Sequence, residues 1–574
     1  MKTLREVLDH EPAPLRFGTS GRRGRVRDLT QLEVYLNARA ELEYLLAQPP
    51  EAGGIQAGQE FFLGHDLRPS STAYVPEQGG RGELAQAVAR AIEDVGLKPV
   101  NLGPLPTPAV LHHGLCRRRG SIMVTGSHIP FDRNGYKTHS ARGELRKEDE
   151  APINARVAAL RERLYAQPAE ESPFAPDGRF KHGSRPLPPA EPGAAEEFLR
   201  RYLDFFPANC LQGLRLLVFQ HSAVGRDLLV EVLERLGAEV IPAGRSETFV
   251  PIDTENVSAD LLADLRRMVT EAAAERGAID AVVSTDGDSD RPLLVSVSGP
   301  AEAPEVRFHG GDLLGMVVAE QLAADAVVVP ISCNDGIDRG PLRDRLEPKT
   351  RIGSPYVIAG MEAALAKGRR RVCGWEANGG FLLGSDLEQD GRTLGALPSR
   401  DSFLPLLTVL RAAAQRRTPV GALFDALPAR FSKAALLREF PRPTSLAIVA
   451  RLAPPREEIV EADLTTTPPG LRDREGRPLD ATEADARRLA EVRATVEGIF
   501  NAAAGFGPLA RLNYLDGVRM IFANGDVAHV RPSGNADELR IYAVADTQER
   551  ADAIAREGVR EPDGLLRQLE RLVG

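Results

Sequence analysis

The chain has 574 residues, more than one hydrophobic core supports, and this length predicts roughly four domains of about 150 residues each. Its hydrophobic content of 43% and charged content of 27% are those of an ordinary globular protein and exclude disordered or fibrous classes. The net charge of -9 argues against a nucleic-acid partner, because a surface that follows phosphates needs clustered lysine and arginine.

The cysteines and the N-terminus indicate a cytoplasmic protein. Neither a zinc knuckle nor a disulfide framework is indicated, since no paired spacing links the four cysteines, Cys116, Cys210, Cys333 and Cys373. Charged residues interrupt Met1–His10, where a signal peptide would need an apolar core. The apolar stretch 313–331 contains Glu320 and Asp325, so we expect no membrane span and no membrane partner.

The first region contains a glycine-rich segment and regular α/β elements. The segment Phe17–Gly24 carries three glycines, two hydroxyls and two arginines, including Arg23. It could hold an anion, and an ordinary surface turn explains it equally well. A strand is predicted within Phe61–Arg68, and the apolar spacing over Gly82–Val95 predicts a helix.

A candidate nucleophile loop follows. The apolar run Gly120–Val124 predicts a strand, and Ser127 comes directly after it, at the edge where open α/β sheets bind ligands. Pro130 and Asn134-Gly135 are expected to prevent a regular helix or strand.

The same loop therefore predicts a reactive group with proton handlers beside it. If the segment forms one folded turn, the hydroxyl of Ser127 lies close to the imidazole of His128 and the ammonium of Lys137. For His128, a purely structural role is an equally good interpretation.

Seven prolines between Pro168 and Pro192 indicate an irregular connection and a domain boundary. A βαβ rhythm follows. Its predicted helices and strands, in chain order, are Ala194–Phe205, Leu214–Phe219, Gly225–Leu236, Leu261–Arg276 and Ala278–Val283.

The last of these strands leads into an acidic loop. Asp286, Asp288 and Asp290 are spaced i, i+2 and i+4, a pattern that can converge on a hard divalent cation such as Mg²⁺. An EF-hand does not fit, because Arg291 stands at the sixth position and Val297 at the twelfth. A merely solvated acidic loop remains open, although the adjacent Arg291 suggests a nearby anion.

Two later loops suit a phosphorylated sugar. Gly374–Gly380 brings Glu376 and Asn378 to a glycine-rich strand end, where an acid and an amide could contact hydroxyl groups, or form a buried turn. Within Arg531–Arg540, arginines flank a Ser-Gly-Asn turn. This arrangement suits a bound phosphate, and an ordinary charged turn is the alternative. Between them, Thr482–Phe500 predicts a capped helix, and Gly517–Phe522 with Val527–Val530 predicts a hairpin.

Together these loops resemble the α-D-phosphohexomutases, the phosphoglucomutase and phosphomannomutase superfamily. Residues 125–130 and 134–137 are similar to the family's phosphoserine loop, and 286–291 to its metal loop. The resemblance implies an α/β protein of four domains around a central cleft, three with mixed sheets and a smaller C-terminal α+β domain. The expected boundaries are 1–190 for the phosphoserine-loop domain, 191–305 for the metal-loop domain, 306–428 for the sugar-loop domain and 429–574 for the phosphate-binding domain.

The resemblance also implies roles for particular residues. Ser127 would carry a phosphoryl group, Mg²⁺ would bind to Ser127 and the three aspartates, and Lys137 would handle the proton at the sugar hydroxyl, with Arg23 and His128 also catalytic. Arg291 would contact the phosphoserine. The residues that would bind substrate are Glu376, Asn378, Arg531, Ser533, Gly534, Asn535 and Arg540.

The implied reaction interconverts hexose 1-phosphate and hexose 6-phosphate, for glucose, mannose or both, through a bisphosphorylated sugar, and hexose 1,6-bisphosphate would act as activator. Three alternatives stay open: a phosphoglucosamine mutase, a metal-dependent sugar phosphatase and a non-catalytic sugar-phosphate-binding protein. Asn378, at a position that is usually serine in this family, and Gly380, at one that is often histidine, leave the hexose undetermined. The sequence does not predict the oligomeric state.

Overall fold

The computed structural model describes residues 1–534 and 537–574. Its contacts divide the chain into two compact units. The first comprises Met1–Ala323, Arg370–Cys373 and Asn378–Leu423, and the second comprises Ala324–Arg369, Gly374–Ala377 and Phe424–Gly574. No helix among the described residues is long and apolar enough to cross a membrane.

The first unit begins with a mixed seven-stranded sheet. Its three parallel strands are Lys98–Pro104, Glu60–His65 and Ser121–Val124, in that spatial order. Antiparallel strands extend the sheet beyond Ser121–Val124, in the order Arg133–Ser140, Arg22–Arg25 and Arg16–Phe17, while Gly143–Glu144 also pairs with Arg133–Ser140. The longer helices of this region are Gln31–Leu46, Leu84–Asp94, Thr107–Arg117 and Lys147–Tyr165.

The predicted helix over Gly82–Val95 is confirmed as Leu84–Asp94. It buries the residues that its periodicity selects, Leu84, Val88, Ala91 and Ile92. The core that these residues join also includes Phe61 and Ile122 of the parallel strands, so the helix covers one face of the sheet.

A second mixed sheet of five strands follows, after an irregular segment between Tyr165 and Ala194 that bears out the proline-rich connection. Its order is Glu239–Arg245, Arg215–His221, Ala281–Thr285, Pro292–Ser298 and Glu305–His309, with the first three strands parallel. The predicted βαβ elements are confirmed, and the helices are Ala194–Leu203, Arg226–Arg235 and Ala259–Arg276.

The rest of the first unit contains helices Gly311–Gln321 and Phe403–Arg416. Strands Phe381–Leu383 and Leu397–Asp401 pair antiparallel, and a small hairpin joins Leu387–Gln389 to Arg392–Leu394. The strand Val372–Trp375 and the helix Val420–Asp425 are each divided between the two units.

The second unit is built on an antiparallel sheet of eight strands. In spatial order they are Phe431–Arg438, Glu538–Ala545, Val527–Pro532, Val518–Phe522, Leu509–Asn513, Glu461–Asp463, Gly470–Arg472 and Pro478–Leu479. The strand Ala326–Val328 and the helices Ser354–Ala366, Arg442–Arg451, Glu483–Ile499, Gln548–Val559 and Leu565–Glu570 also belong to this unit.

The predicted helix near the C-terminus is confirmed with its cap. It spans Glu483–Ile499, and Thr482 and Asp485 exchange hydrogen bonds between side chain and backbone at its first turn. Such reciprocal capping satisfies two amide donors that the helix leaves unpaired. The predicted hairpin is confirmed by the pairing of Val518–Phe522 with Val527–Pro532.

The expectation that Asn134-Gly135 prevents a regular strand is wrong, since Arg133–Ser140 is a strand, whereas Pro130 lies in the irregular loop between Val124 and Arg133. Gly135 lies opposite Arg23 of the neighbouring strand, and a Cβ on Gly135 would lie 1.9 Å from the carbonyl oxygen of Arg22. The glycine therefore permits a close approach between two strand backbones, a use that glycine has within sheets as well as in turns. Lys137 accordingly projects from a strand.

Candidate active site

Ser127 lies in the loop that follows strand Ser121–Val124, and its side chain is buried. Its φ of +54° places it in the left-handed region, which costs a non-glycine residue about 1–3 kcal/mol unless its surroundings hold it there. The Ser127 amide donates to Thr125 Oγ1 at 2.7 Å, and the Ser127 carbonyl accepts from the Arg68 guanidinium at 3.0 Å. Both contacts hold the backbone of Ser127 in this conformation.

Two residues that the sequence analysis did not select, Asp66 and Arg68, hold this loop in place. Asp66 Oδ2 accepts from Thr125 Oγ1 at 2.8 Å and from the Gly126 amide at 3.2 Å. Arg68 also donates to the carbonyls of Pro130 and Arg133, each at 2.8 Å. The sequence signal was an aspartate and an arginine two residues apart directly after a buried strand.

The acidic loop joins the antiparallel strands Ala281–Thr285 and Pro292–Ser298. The Asp286 carboxylate folds back on the loop and accepts from the amides of Asp290 and Arg291, each at 3.2 Å. Ser289 has a φ of +56°, in the left-handed region that glycine adopts more readily than serine. Its hydroxyl accepts from the Gly225 amide at 2.9 Å, and this contact helps to hold the turn.

The serine loop and the acidic loop meet. Ser127 Oγ donates to Asp286 Oδ2 at 2.7 Å, and Lys137 Nζ lies 2.6 Å from both Asp288 Oδ2 and Asp290 Oδ2. The expectation that Ser127, Lys137 and the three aspartates share a site thus has a geometric basis in the first unit. A strand–loop–strand arrangement brings them together.

Thr107 and Arg400 complete the contacts to the carboxylates, and neither was predicted from the sequence. Thr107 begins a helix and donates its hydroxyl to Asp288 Oδ2 at 2.6 Å. Arg400, at the end of strand Leu397–Asp401, lies 3.0 Å from Asp290 Oδ2 and 3.2 Å from Ser20 Oγ. Both residues are more than a hundred positions away from the aspartates in the sequence.

The charges in the cluster shift the pKa values of its carboxyl groups in opposite directions. Burial, together with the charges of Asp288 and Asp290, raises the pKa of Asp286 well above its ordinary value. Burial also favours a raised pKa for Asp288, but Lys137 and the Thr107 hydroxyl outweigh it, so the pKa of Asp288 is lowered.

The aspartates fit a divalent cation. One oxygen from each of the three carboxylates lies within 4.8 Å of the others, and all three residues are buried. Asp288 Oδ1 and Asp290 Oδ1 are buried without a hydrogen-bond partner among the described residues. Because buried carboxylate oxygens are costly unless a donor or cation satisfies them, this oxygen-only set suits a hard ion such as Mg²⁺.

The remaining predicted residues of the first unit occupy different places around this cluster. Arg291 Nε lies 3.7 Å from Asp290 Oδ1 and 4.0 Å from Asp286 Oδ2. Burial, with the nearby charges of Arg291 and Arg400, lowers the pKa of Arg23 to about 10, so Arg23 remains a cation at neutral pH. His128 Nδ1 lies 3.4 Å from Ser127 Oγ, a long contact.

The two predicted sugar-contacting residues fall in different units. Asn378 belongs to the first unit, where its side-chain oxygen accepts from the Gly380 amide at 2.9 Å and its carbonyl accepts from Thr254 Oγ1 at 2.8 Å. Its amide oxygen is thus already used within the turn. Glu376 belongs to the second unit and is buried.

In the second unit, the predicted phosphate-binding residues lie on a hairpin. Arg531 and Arg540 are directly opposite each other on strands Val527–Pro532 and Glu538–Ala545. Like charges in this position repel, and here Asp516 contacts Arg531 at 2.9 Å and Glu538 contacts Arg540 at 3.0 Å. Ser533 is buried, Gly534 is exposed, and Asn535 lies outside the described residues.

Comparisons with known proteins identify the family of this chain. Sequence models of phosphoglucomutase/phosphomannomutase match the chain over residues 14–164 for alpha/beta/alpha domain I, 310–431 for alpha/beta/alpha domain III and 480–560 for the C-terminal domain. A phosphomannomutase of Sinorhizobium fredii is 35% identical over 544 residues, which cover 95% of this chain and 98% of that protein. The chain belongs to the phosphoglucomutase/phosphomannomutase family. It is therefore an intramolecular phosphotransferase of the mutase type within the α-D-phosphohexomutase superfamily.

Other relatives of this phosphoglucomutase/phosphomannomutase family member differ in their named substrate. A phosphomannomutase of Salmonella muenchen is 36% identical over 540 residues, covering 94% of this chain and 93% of that one. A phosphoglucosamine mutase of Frankia alni is 29% identical over 424 residues, covering 72% and 81%. Membership of the family thus leaves the choice among sugar phosphates open.

Solved structures have the same fold. A phosphoglucomutase/phosphomannomutase family protein from Burkholderia thailandensis superposes with a TM-score of 0.59 at 16% identity, covering 96% of this chain and 97% of that one. The open form of the Paramecium phosphoglucomutase pp63/parafusin gives a TM-score of 0.57 at 14% identity, covering 95% and 94%. The multi-domain α/β class is confirmed. Along the sequence, the strands of the five-stranded sheet fall between the stretches matched to domains I and III. The predicted domain boundaries stay predictions.

Proposed function

We propose that this mutase interconverts mannose 1-phosphate and mannose 6-phosphate, with glucose phosphates as a second substrate pair, and that Ser127 carries the transferred phosphoryl group. The observation that supports the carrier role is the 2.7 Å contact between Ser127 Oγ and Asp286 Oδ2, within a group of three buried aspartates. Mannose is favoured because the relatives named phosphomannomutase match at 35% and 36% identity over almost the whole chain, against 29% over 72% for the Frankia phosphoglucosamine mutase.

In the proposed reaction, the bond between phosphorus and Ser127 Oγ breaks while a bond forms between phosphorus and the free hydroxyl oxygen of the sugar phosphate. The product is a hexose 1,6-bisphosphate, which also explains why this compound would activate unphosphorylated enzyme. After the bisphosphate has reversed its orientation, its other phosphoryl group returns to Ser127. Such transfer depends mainly on alignment and on neutralising charge.

The three aspartates are proposed to hold Mg²⁺. When bound by Asp286, Asp288 and Asp290, together with an oxygen on Ser127, the ion supplies positive charge beside the transferred phosphoryl group. Arg23 and Arg291 add positive charge from this chain. The pKa of Arg23, at about 10, keeps its guanidinium charged under working conditions.

Lys137 is proposed to move the proton at the reacting sugar hydroxyl. Its Nζ lies 2.6 Å from oxygens of both Asp288 and Asp290, and these two contacts hold the amine at the aspartate cluster. The long 3.4 Å contact of His128 with Ser127 favours an orienting role for the histidine.

The two ends of the sugar are proposed to use one phosphate cradle. Arg531 and Arg540 form a cross-strand pair, and two neighbouring guanidinium groups could both donate to one phosphate, in competition with Asp516 and Glu538. Ser533, Gly534 and Asn535 would add hydroxyl and amide donors, while Glu376 and Asn378 would contact the sugar hydroxyls.

The test is a panel of mannose, glucose and glucosamine 1-phosphates, each assayed with Mg²⁺ and a trace of the corresponding bisphosphate. We expect 6-phosphate formation to be fastest with mannose and glucose, with little release of inorganic phosphate. Release of phosphate as the main product would favour the phosphatase, and a preference for the amino sugar would favour a phosphoglucosamine mutase. If none of the three sugar phosphates is converted, the proposal is overturned.

A further inference from the structure

A second group of metal-binding side chains lies away from the aspartate loop, on two helices of the first unit. His112 and Cys116 are one turn apart on Thr107–Arg117, and Glu197 lies on Ala194–Leu203. One ligand atom from each of the three lies within 4.8 Å of the others. No paired cysteine spacing predicts this group, since its members come from distant parts of the sequence.

The separation of two of these atoms matches a tetrahedral site. Cys116 Sγ lies 3.6 Å from His112 Nε2. In tetrahedral zinc, bonds of about 2.3 Å to sulfur and about 2.0–2.1 Å to nitrogen place the two ligand atoms roughly 3.6 Å apart. The helix therefore already holds sulfur and nitrogen at the spacing that a shared zinc ion requires.

The carboxylate is oriented by a shell of its own. Glu197 Oε2 accepts from His113 Nδ1 at 2.8 Å and from Arg117 at 2.9 Å, and Oε1 accepts from the same Arg117 nitrogen at 3.0 Å. A carboxylate has about four lone-pair positions, so these three contacts leave one position for a cation. Protein metal sites commonly fix their ligating carboxylates by such hydrogen bonds.

The ligand types select among metals. A thiolate and an imidazole favour borderline and soft ions, while Mg²⁺ prefers oxygen ligands alone. Cys116 is exposed, so an ion can reach the group from solvent, and water can fill the fourth position.

We propose that His112, Cys116 and Glu197 form a zinc-binding site, separate from the aspartate loop. Binding converts the Cys116 thiol to a thiolate, and the released proton passes to water. The helix that carries His112 and Cys116 begins at Thr107, the residue that contacts Asp288. The inference does not depend on which sugar phosphate the enzyme uses.

The experiment uses full-length protein from which bound metal has been removed. Excess Mg²⁺ is added first, and the protein is then titrated with Co²⁺ as a spectroscopic probe for the zinc site. We expect a near-ultraviolet charge-transfer band from thiolate to cobalt that saturates at one Co²⁺ per chain and disappears when Zn²⁺ is added. Cobalt bound by the aspartates cannot produce this band, because they provide no sulfur ligand.

Variants assign the band to these residues. Cys116→Ser should abolish it, while the matched control Cys210→Ser should retain it, since Cys210 is a partly buried cysteine outside the group. Glu197→Gln should weaken Zn²⁺ affinity by about 10-fold or more, because even outer-shell changes cost about 10–100-fold. The proposal is overturned if wild-type protein gives no band or if Cys116→Ser retains it. Should Cys116→Ser fail to fold by circular dichroism, unchanged Zn²⁺ affinity in Glu197→Gln overturns the proposal instead.

Discussion

Replacing Lys137 with methionine tests the charge balance of the aspartate cluster. The substitution keeps the length of the side chain and removes its ammonium, which lies 2.6 Å from both Asp288 Oδ2 and Asp290 Oδ2. Without a divalent cation, Asp290 keeps Arg400 as a partner and Asp288 keeps the hydroxyl of Thr107. Two buried carboxylates therefore share less positive charge.

The structure gives a magnitude for this loss. The exposed fraction of the side chain is 4% for Lys137, 0% for Asp288 and 1% for Asp290, so water does not screen the pairs. Removing one partner from a buried ion pair costs about 3–5 kcal/mol of unfolding free energy. In a domain of about 150–250 residues, each kcal/mol of lost stability lowers the melting temperature by roughly 2 °C or more, so we expect a fall of at least about 6 °C.

The assay is thermal unfolding in EDTA and again in saturating Mg²⁺. Because an ion held by the three aspartates would neutralise the same carboxylates as Lys137, Mg²⁺ should raise the melting temperature of Lys137→Met more than that of wild type. The control is Lys147→Met, whose ion pair with Glu150 at 2.5 Å is partly exposed and should contribute at most about 1 kcal/mol.

Two results would refute this reasoning. One is a loss of stability in EDTA no larger for Lys137→Met than for Lys147→Met, which would mean that the cluster does not depend on the lysine charge. The other is an equal Mg²⁺ effect in Lys137→Met and wild type, which would mean that lysine and metal do not serve the same carboxylates.

Three further predictions concern other residues. Thr107→Val removes the hydroxyl that donates to buried Asp288 at 2.6 Å, and we expect the free energy of unfolding in EDTA to fall by about 1.5–3 kcal/mol. Urea denaturation measures this change, and a decrease below about 0.5 kcal/mol would contradict the prediction. Burial lowers the pKa of His139 from 6.5 to about 4, so this neutral histidine stabilises the fold above pH 6.5, and the contribution is lost as the pH falls toward 4. His139→Gln should therefore show a shallower loss of stability over this range in melting curves, and an unchanged slope would refute the assignment. Arg531→Ala should raise the KM for the sugar phosphate by about 10-fold or more in steady-state kinetics, because a charge-assisted hydrogen bond contributes about 1.5–3 kcal/mol. An unchanged KM would mean that Arg531 does not bind the phosphate.

The candidate site residues could be selected from the sequence because their signatures are short and contiguous. Ser127 directly follows a buried strand, and the three aspartates occupy alternate positions of one loop. Residues that support them could not be found in this way. Thr107 and Arg400 reach the aspartates only through tertiary contacts, and their local sequence contains no chemical pattern.

The secondary structure divides similarly. Long periodic segments such as Glu483–Ile499 were predicted with their caps, since a helix with an apolar face specifies itself locally. Gly135 was misinterpreted as a turn residue because its use, a close approach to the Arg22 carbonyl, depends on a partner strand. Glu461–Asp463 was not predicted, because a strand of three residues shows no periodicity.

The most direct test of the central claim is the phosphorylation state of Ser127. Purified protein is incubated with hexose 1,6-bisphosphate and Mg²⁺, and its intact mass and tryptic peptides are compared with those of Ser127→Ala. We expect one phosphate per wild-type chain, located on Ser127, and neither phosphate nor isomerisation in the variant. Wild-type isomerase activity in Ser127→Ala would contradict the account.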